Sequence, residues 1–189
     1  MNTPNSLAVC VDNSRQDIPP ISGDFTFFGG IYRDVWLTAV SKQHFHLTNY
    51  GSEGIFISTP KVSEEKGTIL IRGDIKNDAT QKALLELEHI IYHPNGSIAQ
   101  SLKQSIQIKA GEQYSFRSET SPILSPQLWT PETPHLYRVE SILRDKKTKT
   151  VLDQSNHYTG FRWFSFDGER GFSLNGKPYK LSLIHISEP

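Results

Sequence analysis

Most of the chain consists of short runs in which apolar and polar residues alternate, separated by residues that favour turns. The alternation is clearest in residues 67–77, 101–111 and 112–119, as in "SLKQSIQIKAG". A repeat of two residues is typical of a β-strand with one buried face. From about residue 42 to 160 the spacing predicts roughly seven strands, a number that suits an immunoglobulin-like sandwich in an all-β fold.

One stretch is compatible with a helix as well as a strand. Residues 79–90 read "ATQKALLELEHI", but Glu86 and Glu88 alternate with Leu85, Leu87 and His89, which favours a strand. The following Asn95-Gly96 is a strong hairpin signal. The pattern therefore predicts a β-hairpin, with its turn at residues 94–96.

Further strands are predicted nearer the two ends of the chain. Residues 6–12 ("SLAVCVD") and 30–40 ("GIYRDVWLTAV") have the composition and alternation of strands, and residues 147–167 contain the last one. Since the chain opens almost at once into a strand, we expect its natural beginning to lie upstream of Met1.

Composition and charge narrow the classes of partner. The 189 residues carry 20 Lys and Arg against 20 Asp and Glu, so no basic surface is implied and nucleic acid is not expected as a partner. No stretch approaches the roughly 20 apolar residues of a membrane span. The single cysteine, Cys10, allows no disulfide within the chain, and the compartment, bacterial cytoplasm or periplasm, stays open.

The histidines do not form a recognisable metal motif. His89 and His93 are four residues apart, but "HIIYH" lacks the glutamate of a zinc-protease helix and no third ligand is evident. We interpret them, like His44 and His46, as ordinary sheet residues. Glycine-rich phosphate loops and Ser-His-Asp patterns are also missing from the sequence, so no metal or catalytic centre is predicted.

Three motifs, in order, carry a resemblance to a known family. They are "GDFTFFGGIYRDVWL" (23–37), "LWTPETPHLY" (128–137) and "GFRWFSFDGERGFSLNGKPYK" (160–180). Together they resemble glycoside hydrolase family 2. The resemblance implies the tail of a jelly-roll sugar-binding domain over 1–40, an immunoglobulin-like sandwich over 41–160, and a lead-in to an absent TIM-barrel catalytic domain over 161–180.

Within that family, Arg33-Asp34 after Gly30-Ile31-Tyr32 resembles the β-galactosidases. The resemblance implies that Asp24, six residues before Gly30, binds the galactose and a monovalent or divalent cation in the complete enzyme. A loop-capping role is the alternative for Asp24. Gly30, Arg33, Asp34 and Trp129 are expected to be structural, and Trp129 to pack the end of the sandwich with Tyr137 rather than stack on a sugar.

The implied parent enzyme hydrolyses terminal β-D-galactosides with retention, which requires two carboxyl groups about 5–5.5 Å apart. The resemblance places both on barrel glutamates downstream, so this chain alone is expected to be inactive, and the galactoside would bind through the barrel. Two alternatives stay open: another family 2 glycosidase (β-glucuronidase or β-mannosidase), and a free-standing β-sandwich module that binds carbohydrate or protein. A homo-oligomeric parent is compatible with either.

The last nine residues, 181–189, depart from the family pattern. "LSLIHISEP" is the translation of CTG TCT CTT ATA CAC ATC TCC GAG CCC, which resembles a transposase-end adapter used in sequencing libraries. We therefore expect these residues to be translated adapter, and the chain to be an interior fragment of a longer gene.

Overall fold

The computed structural model describes residues 6–11, 30–31, 33–48 and 51–180, which form an all-β fold with no helix. The chain divides into two compact units, residues 1–39 and 40–189. The described residues contain no helix that is long and apolar enough to span a membrane. The strands described below all belong to the second unit.

The first sheet is organised around the long central strand β3. Its five strands are β1 (Gln43–Phe45), β2 (Ile55–Val62), β3 (Lys66–Asn77), β6 (Gln113–Glu119) and β7 (Ile123–Leu124). All four others pair with β3 in antiparallel register: β2 and β6 along most of its length, and β1 and β7 at its two ends. Because every pairing passes through β3, this strand positions the whole sheet.

The second sheet has four antiparallel strands in the order β5-β4-β8-β9. They are β4 (Ala83–Tyr92), β5 (Ile98–Ile108), β8 (Tyr137–Asp145) and β9 (Val151–Thr159). The β4–β5 turn is closed by hydrogen bonds between His93 and Ser97 and from Gly96 N–H to the His93 carbonyl. The strand assignment of residues 83–90 and the hairpin at Asn95-Gly96 are therefore confirmed.

A single core fills the space between the two sheets. Alternate residues of each strand point inward, as expected for a sandwich. The fully buried members include, from the first sheet, Phe45, Ile69, Ile71 and Ile75, and from the second sheet Leu85, Leu87, Ile91, Val139 and Leu143. The immunoglobulin-like sandwich predicted from the strand spacing is thus observed, with nine strands between residues 42 and 160 rather than seven.

The outward face of the second sheet is polar and internally paired. Glu88 receives a hydrogen bond from Arg144 at 2.6 Å and lies 3.1 Å from the Lys103 amine. Partial burial alone would raise the pKa of Glu88, but the hydrogen bonds from Lys103 and Arg144 outweigh it and the pKa is lowered. Glu86 is paired with Lys149 in the same way. This face therefore suits contact with water.

A third, small sheet follows the sandwich. Its strands are β10 (Phe164–Asp167), β11 (Gly171–Leu174) and β12 (Lys177–Pro178), in that order. The β11–β12 turn is Asn175-Gly176, where both residues have positive φ angles of 50° and 75°. A two-residue turn of this type requires such angles, which Asn and Gly adopt most readily.

Two strand predictions were wrong over the residues that the structure describes. Residues 6–11 and 30–31 with 33–40 form no strand. Their apolar side chains are exposed, including Val35 and Leu37. Alternation supplies a face that could be buried, but a strand forms only when a neighbouring strand takes its hydrogen bonds.

Gly67 lies against an aromatic ring, which generates a testable prediction. A Cβ at this position would be 2.6 Å from the Phe161 ring, which is fully buried and has no room to retreat. We expect Gly67→Ala to lower the free energy of unfolding by about 1–3 kcal/mol, measured by urea denaturation of the chain.

Gly168→Ala is the matched control, because no atom lies within 4 Å of its built Cβ. This control should change the free energy of unfolding by less than about 0.5 kcal/mol. Equal denaturation midpoints for the two variants would contradict the packing argument.

Candidate functional site

Two of the sequence motifs meet at one end of the sandwich. The Trp129 N–H donates to the Phe161 carbonyl at 2.8 Å, and Leu128 pairs with Phe161 in a parallel bridge. Segments 128–137 and 160–163, more than 20 residues apart in sequence, are therefore joined through their backbones. We call this region, together with the Asn175 turn described below, the motif junction.

Gly160 explains why the two segments approach so closely. A Cβ on this residue would lie 2.7 Å from the Trp129 Cβ, so only glycine lets the backbone pass beside the indole. Two residues further along the chain, the Arg162 guanidinium lies 4.5 Å from the centre of a Trp129 ring, within the range of a cation–π interaction. The Trp129 side chain therefore lies between the Gly160 backbone and the Arg162 guanidinium.

Tyr137 packs into the end of the core. It is 1% exposed, and its ring meets Phe161 edge-on at 4.8 Å between centroids. Its hydroxyl accepts a hydrogen bond from the Gln127 N–H at 3.1 Å. Burial raises the pKa of Tyr137 despite that hydrogen bond. This environment leaves no face of the ring for a sugar.

Asn175 ties the third sheet to the junction. Its side-chain oxygen accepts from the Trp163 N–H at 3.1 Å, and its side-chain nitrogen donates to the Trp129 carbonyl at 3.0 Å. Its own N–H donates to the Trp163 carbonyl at 2.9 Å. One buried side chain therefore bonds to both motif segments, while its positive φ turns β11 into β12.

A groove of about 500 Å³ opens beside the junction. Its lining includes Glu132, His135, Asn175, Lys177 and Tyr179. A hydrogen bond from its own N–H and one from the Tyr179 hydroxyl, 2.9 Å away, lower the pKa of Glu132. A general acid for glycoside cleavage needs a raised pKa, so Glu132 is in the wrong ionisation state for that role.

A Ser-His-Glu cluster on β9 also lacks catalytic geometry. Ser155 Oγ lies 2.8 Å from His157 Nε2 and donates to Glu53 Oε2 at 2.6 Å. Glu53 approaches the same ring nitrogen at 3.6 Å. In a catalytic triad the carboxylate holds the opposite nitrogen, leaving the first free to take the nucleophile's proton. The cluster instead fastens the loop containing Glu53 to β9.

The remaining histidines are placed as structural residues. His89 is 1% exposed and its Nδ1 lies 2.8 Å from Ser141 Oγ, while His93 packs against Tyr137. His44 and His46 bond to Ser41 and Thr48. Within the described ranges no group of three His, Cys, Asp or Glu side chains is placed to hold a metal ion.

The sequence-predicted site residues fall in different places. Asp24 lies outside the described residues. Gly30 has a φ of 97°, which glycine adopts without strain, and Arg33 and Asp34 are exposed. Trp129 is at the centre of the junction. The sequence alone assigns no role to Asn175 or Gly160. The Asn175-Gly176 pair is a local signal for a turn, whereas no local pattern indicates that Gly160 lies against Trp129.

Known proteins match most of this chain. The model for "Glycosyl hydrolases family 2" matches residues 53–162. The crystal structure of a β-glucuronidase from Bacteroides uniformis aligns with a TM-score of 0.88 and 71% identity, covering 90% of this chain and 20% of that one. Another structure of β-glucuronidase 2 from that organism is of a calcium-binding mutant.

Curated relatives carry two activities. A β-glucuronidase of Bacteroides fragilis is 31% identical over 182 residues, which is 94% of this chain and 25% of that protein. A β-galactosidase of Bacteroides ovatus is 29% identical over 182 residues, which is 96% of this chain and 20% of that protein. The chain thus spans between a fifth and a quarter of the length of these relatives.

Asn175 provides a test of the motif junction. Asn175→Ala removes two side-chain hydrogen bonds and places alanine at a φ of 50°, so we expect a loss of about 2–3 kcal/mol in the free energy of unfolding. Asn175→Gly keeps the turn and loses only the bonds, so about 1–2 kcal/mol should be lost. Urea unfolding followed by tryptophan fluorescence measures both. Wild-type stability in the glycine variant would refute a role for the side chain.

The burial of His89 predicts a dependence of stability on pH. Desolvation lowers the pKa of His89 from 6.5 to about 4, so the unfolded chain binds a proton more readily than the folded one. Its contribution to stability is complete above pH 6.5 and is lost as the pH falls from 6.5 toward 4. At pH 5 the loss should be about 2 kcal/mol relative to pH 7.5 in urea unfolding.

Two variants separate His89 from the other titrating groups. His89→Leu should reduce the difference in stability between pH 7.5 and pH 5, because it removes the group that titrates. His46→Gln alters a more exposed histidine and should keep the difference. If both variants retain the full wild-type difference, His89 is not its source.

Proposed function

The chain belongs to glycoside hydrolase family 2, and from that premise we propose that it is a non-catalytic part of a retaining enzyme that releases terminal β-glucuronic acid from glycosides. One observation carries the choice of sugar: the 71% identity, over 90% of the chain, with the β-glucuronidase of Bacteroides uniformis. Relatives named for other sugars and compared over a similar length are much less similar, as the 29% of the Bacteroides ovatus protein illustrates.

The contribution of this segment is positional. The sandwich has one continuous core, and the motif junction fastens the β10–β12 sheet to its end through Trp129, Phe161 and Asn175. In the complete enzyme, such an attachment fixes the direction in which the chain leaves the sandwich. The two catalytic carboxyl groups then come from another part of the polypeptide, as the mechanism of a retaining glycosidase requires.

A β-galactoside is the second candidate substrate. It is favoured by the Arg33-Asp34 pair after Gly30-Ile31, and the β-galactosidase of Bacteroides ovatus shows that relatives of this activity match the same segment. Under this alternative Asp24 binds the sugar and a cation. Because Asp24 lies outside the described residues, its role rests on the motif spacing alone.

A bound cation in the complete enzyme is part of the proposal. The calcium-binding mutant of the Bacteroides uniformis enzyme supports a divalent ion in a near relative. Carboxylate oxygens are the ligands that Ca²⁺ prefers. Asp24, which lies outside the described residues, is the ligand that we propose this chain contributes.

The substrate is tested on the complete gene product, obtained by extending the reading frame in the source DNA at both ends. We expect kcat/KM for p-nitrophenyl β-D-glucuronide to exceed that for the β-D-galactoside by at least about 100-fold, because a site built to pair the carboxylate leaves polar groups unpaired with the neutral sugar. The 189-residue chain, assayed alongside, should hydrolyse neither. A preference for the galactoside would overturn the choice of sugar while leaving the family intact.

The same assay examines Asp24. Asp24→Asn removes a charge without changing shape, and Asp17→Asn is a control in the same stretch of sequence. A loss of activity confined to the Asp24 variant, and reduced by added cation, supports the binding role. Equal activities in both variants would leave Asp24 as a loop residue.

A further inference from the structure

Three turns of the structure contain a dipeptide that can modify itself. They are Asn95-Gly96 in the β4–β5 turn, Asp167-Gly168 between β10 and β11, and Asn175-Gly176 between β11 and β12. Glycine has no Cβ to shield its nitrogen, so the side chain of a preceding Asn or Asp can form a five-membered ring with it. The sequence makes all three pairs eligible, and the fold distinguishes between them.

Asn95 has the most accessible of the three side chains that could react. Asn95, Gly96 and Ser97 are all exposed. The Asn95 Oδ1 accepts hydrogen bonds from the Ser97 N–H at 3.0 Å and from the Ser97 hydroxyl at 2.7 Å. Both bonds draw electron density from the carbonyl carbon, which is the atom that the glycine nitrogen attacks. The Asn95 Nδ2, which would leave, bonds to no residue in the described part of the chain.

The surroundings of Gly96 leave room for ring closure. A Cβ built on Gly96 would meet no atom within 4 Å. The Gly96 N–H donates to the His93 carbonyl at 2.9 Å, and this bond has to open before the nitrogen can attack. Because the turn lies at the surface, where local opening costs little, this bond is a small obstacle.

The same pair at residues 175–176 is held by the motif junction. Asn175 is 7% exposed, and both of its side-chain polar atoms are bonded, the oxygen to the Trp163 N–H and the nitrogen to the Trp129 carbonyl. A Cβ on Gly176 would lie 3.6 Å from the Trp163 ring. Closing a ring here requires rotation of the carboxamide and the loss of both buried bonds, which is costly.

Asp167 is restrained by its charge. Its carboxylate accepts hydrogen bonds from the N–H groups of Glu169 at 2.9 Å and Arg170 at 2.8 Å. These two bonds lower the pKa of Asp167. An aspartate forms the ring only when a protonated carboxyl group can lose its oxygen as water, so the ionised side chain reacts slowly.

We propose that Asn95 is a site of spontaneous deamidation, in which the Gly96 nitrogen attacks the side-chain carbonyl carbon of Asn95. The new carbon–nitrogen bond closes a succinimide ring. The bond from that carbon to Nδ2 breaks, and Nδ2 leaves as ammonia with the proton of the Gly96 nitrogen. Water then opens the ring at either carbonyl, giving aspartate or isoaspartate. Both products place a negative charge on the β4–β5 turn, and isoaspartate also lengthens its backbone by one carbon.

The test is incubation of the folded 189-residue chain at pH 7.5, followed by peptide mapping with mass spectrometry. Trypsin places the three pairs in separate peptides, residues 83–103, 163–170 and 171–180. We expect the conversion of amide to acid to be at least about 10-fold faster in peptide 83–103 than in peptide 171–180, because Asn175 first has to lose its buried bonds. Equal rates, or faster conversion of Asn175, would overturn the proposal.

Two controls assign the difference to the fold and the reaction to Asn95. In guanidinium chloride the two Asn-Gly pairs should react at similar rates; a difference that persists in the unfolded chain would show that the fold does not select Asn95. Asn95→Gln would need a six-membered ring, which closes far more slowly, so conversion in peptide 83–103 should be lost. Conversion that continues in this variant would come from Gln100, the other amide of that peptide, and would contradict the assignment.

Discussion

The architecture depends on the burial of one aromatic ring, that of Phe161. Its ring fits against Gly67 of the first sheet and meets Tyr137 of the second sheet edge-on. Its backbone pairs with residues 128–129 at the same time. Because Phe161 contacts both sheets and the Trp129 segment, it closes the end of the sandwich at the point where the β10–β12 sheet is attached. Glycine at 67 and 160 is the steric condition for this arrangement.

The distribution of polar groups follows from the same two-sheet geometry. On the outer face of the second sheet, cross-strand carboxylates and cations lie opposite one another and pair, as Glu88 does with Arg144 and Lys103. Between the sheets, a polar residue must find a partner in the core or retain water. His89 bonds to Ser141 through one ring nitrogen, and its ring packs against Phe116 at 5.4 Å between centroids. Its burial also lowers its pKa, so the sandwich is built to contain the neutral ring.

For function, these features suit the scaffold role that we propose for this segment. The described part of the chain carries no three-ligand metal group. Its Ser-His-Glu cluster is not a triad, because Glu53 and Ser155 approach the same nitrogen of His157. The family assignment accounts for this, since a family of hydrolases can place its chemistry in one domain and its orientation in others. The 71% identity with one β-glucuronidase and the 29% identity with a β-galactosidase then bear on the sugar alone.

The sequence by itself determined the all-β class, the hairpin at Asn95-Gly96 and the immunoglobulin-like sandwich, because alternation and turn residues are local signals. It also indicated the family, because three motifs occur in the expected order along the chain. The tertiary structure decided the rest. Strands expected at 6–12 and 30–40 did not form over their described residues, since pairing depends on a neighbour that alternation cannot specify. The roles of Gly160 and Asn175 likewise emerged only when the fold brought each of them to Trp129, 31 and 46 residues away, because close packing and buried hydrogen bonds are properties of the folded chain.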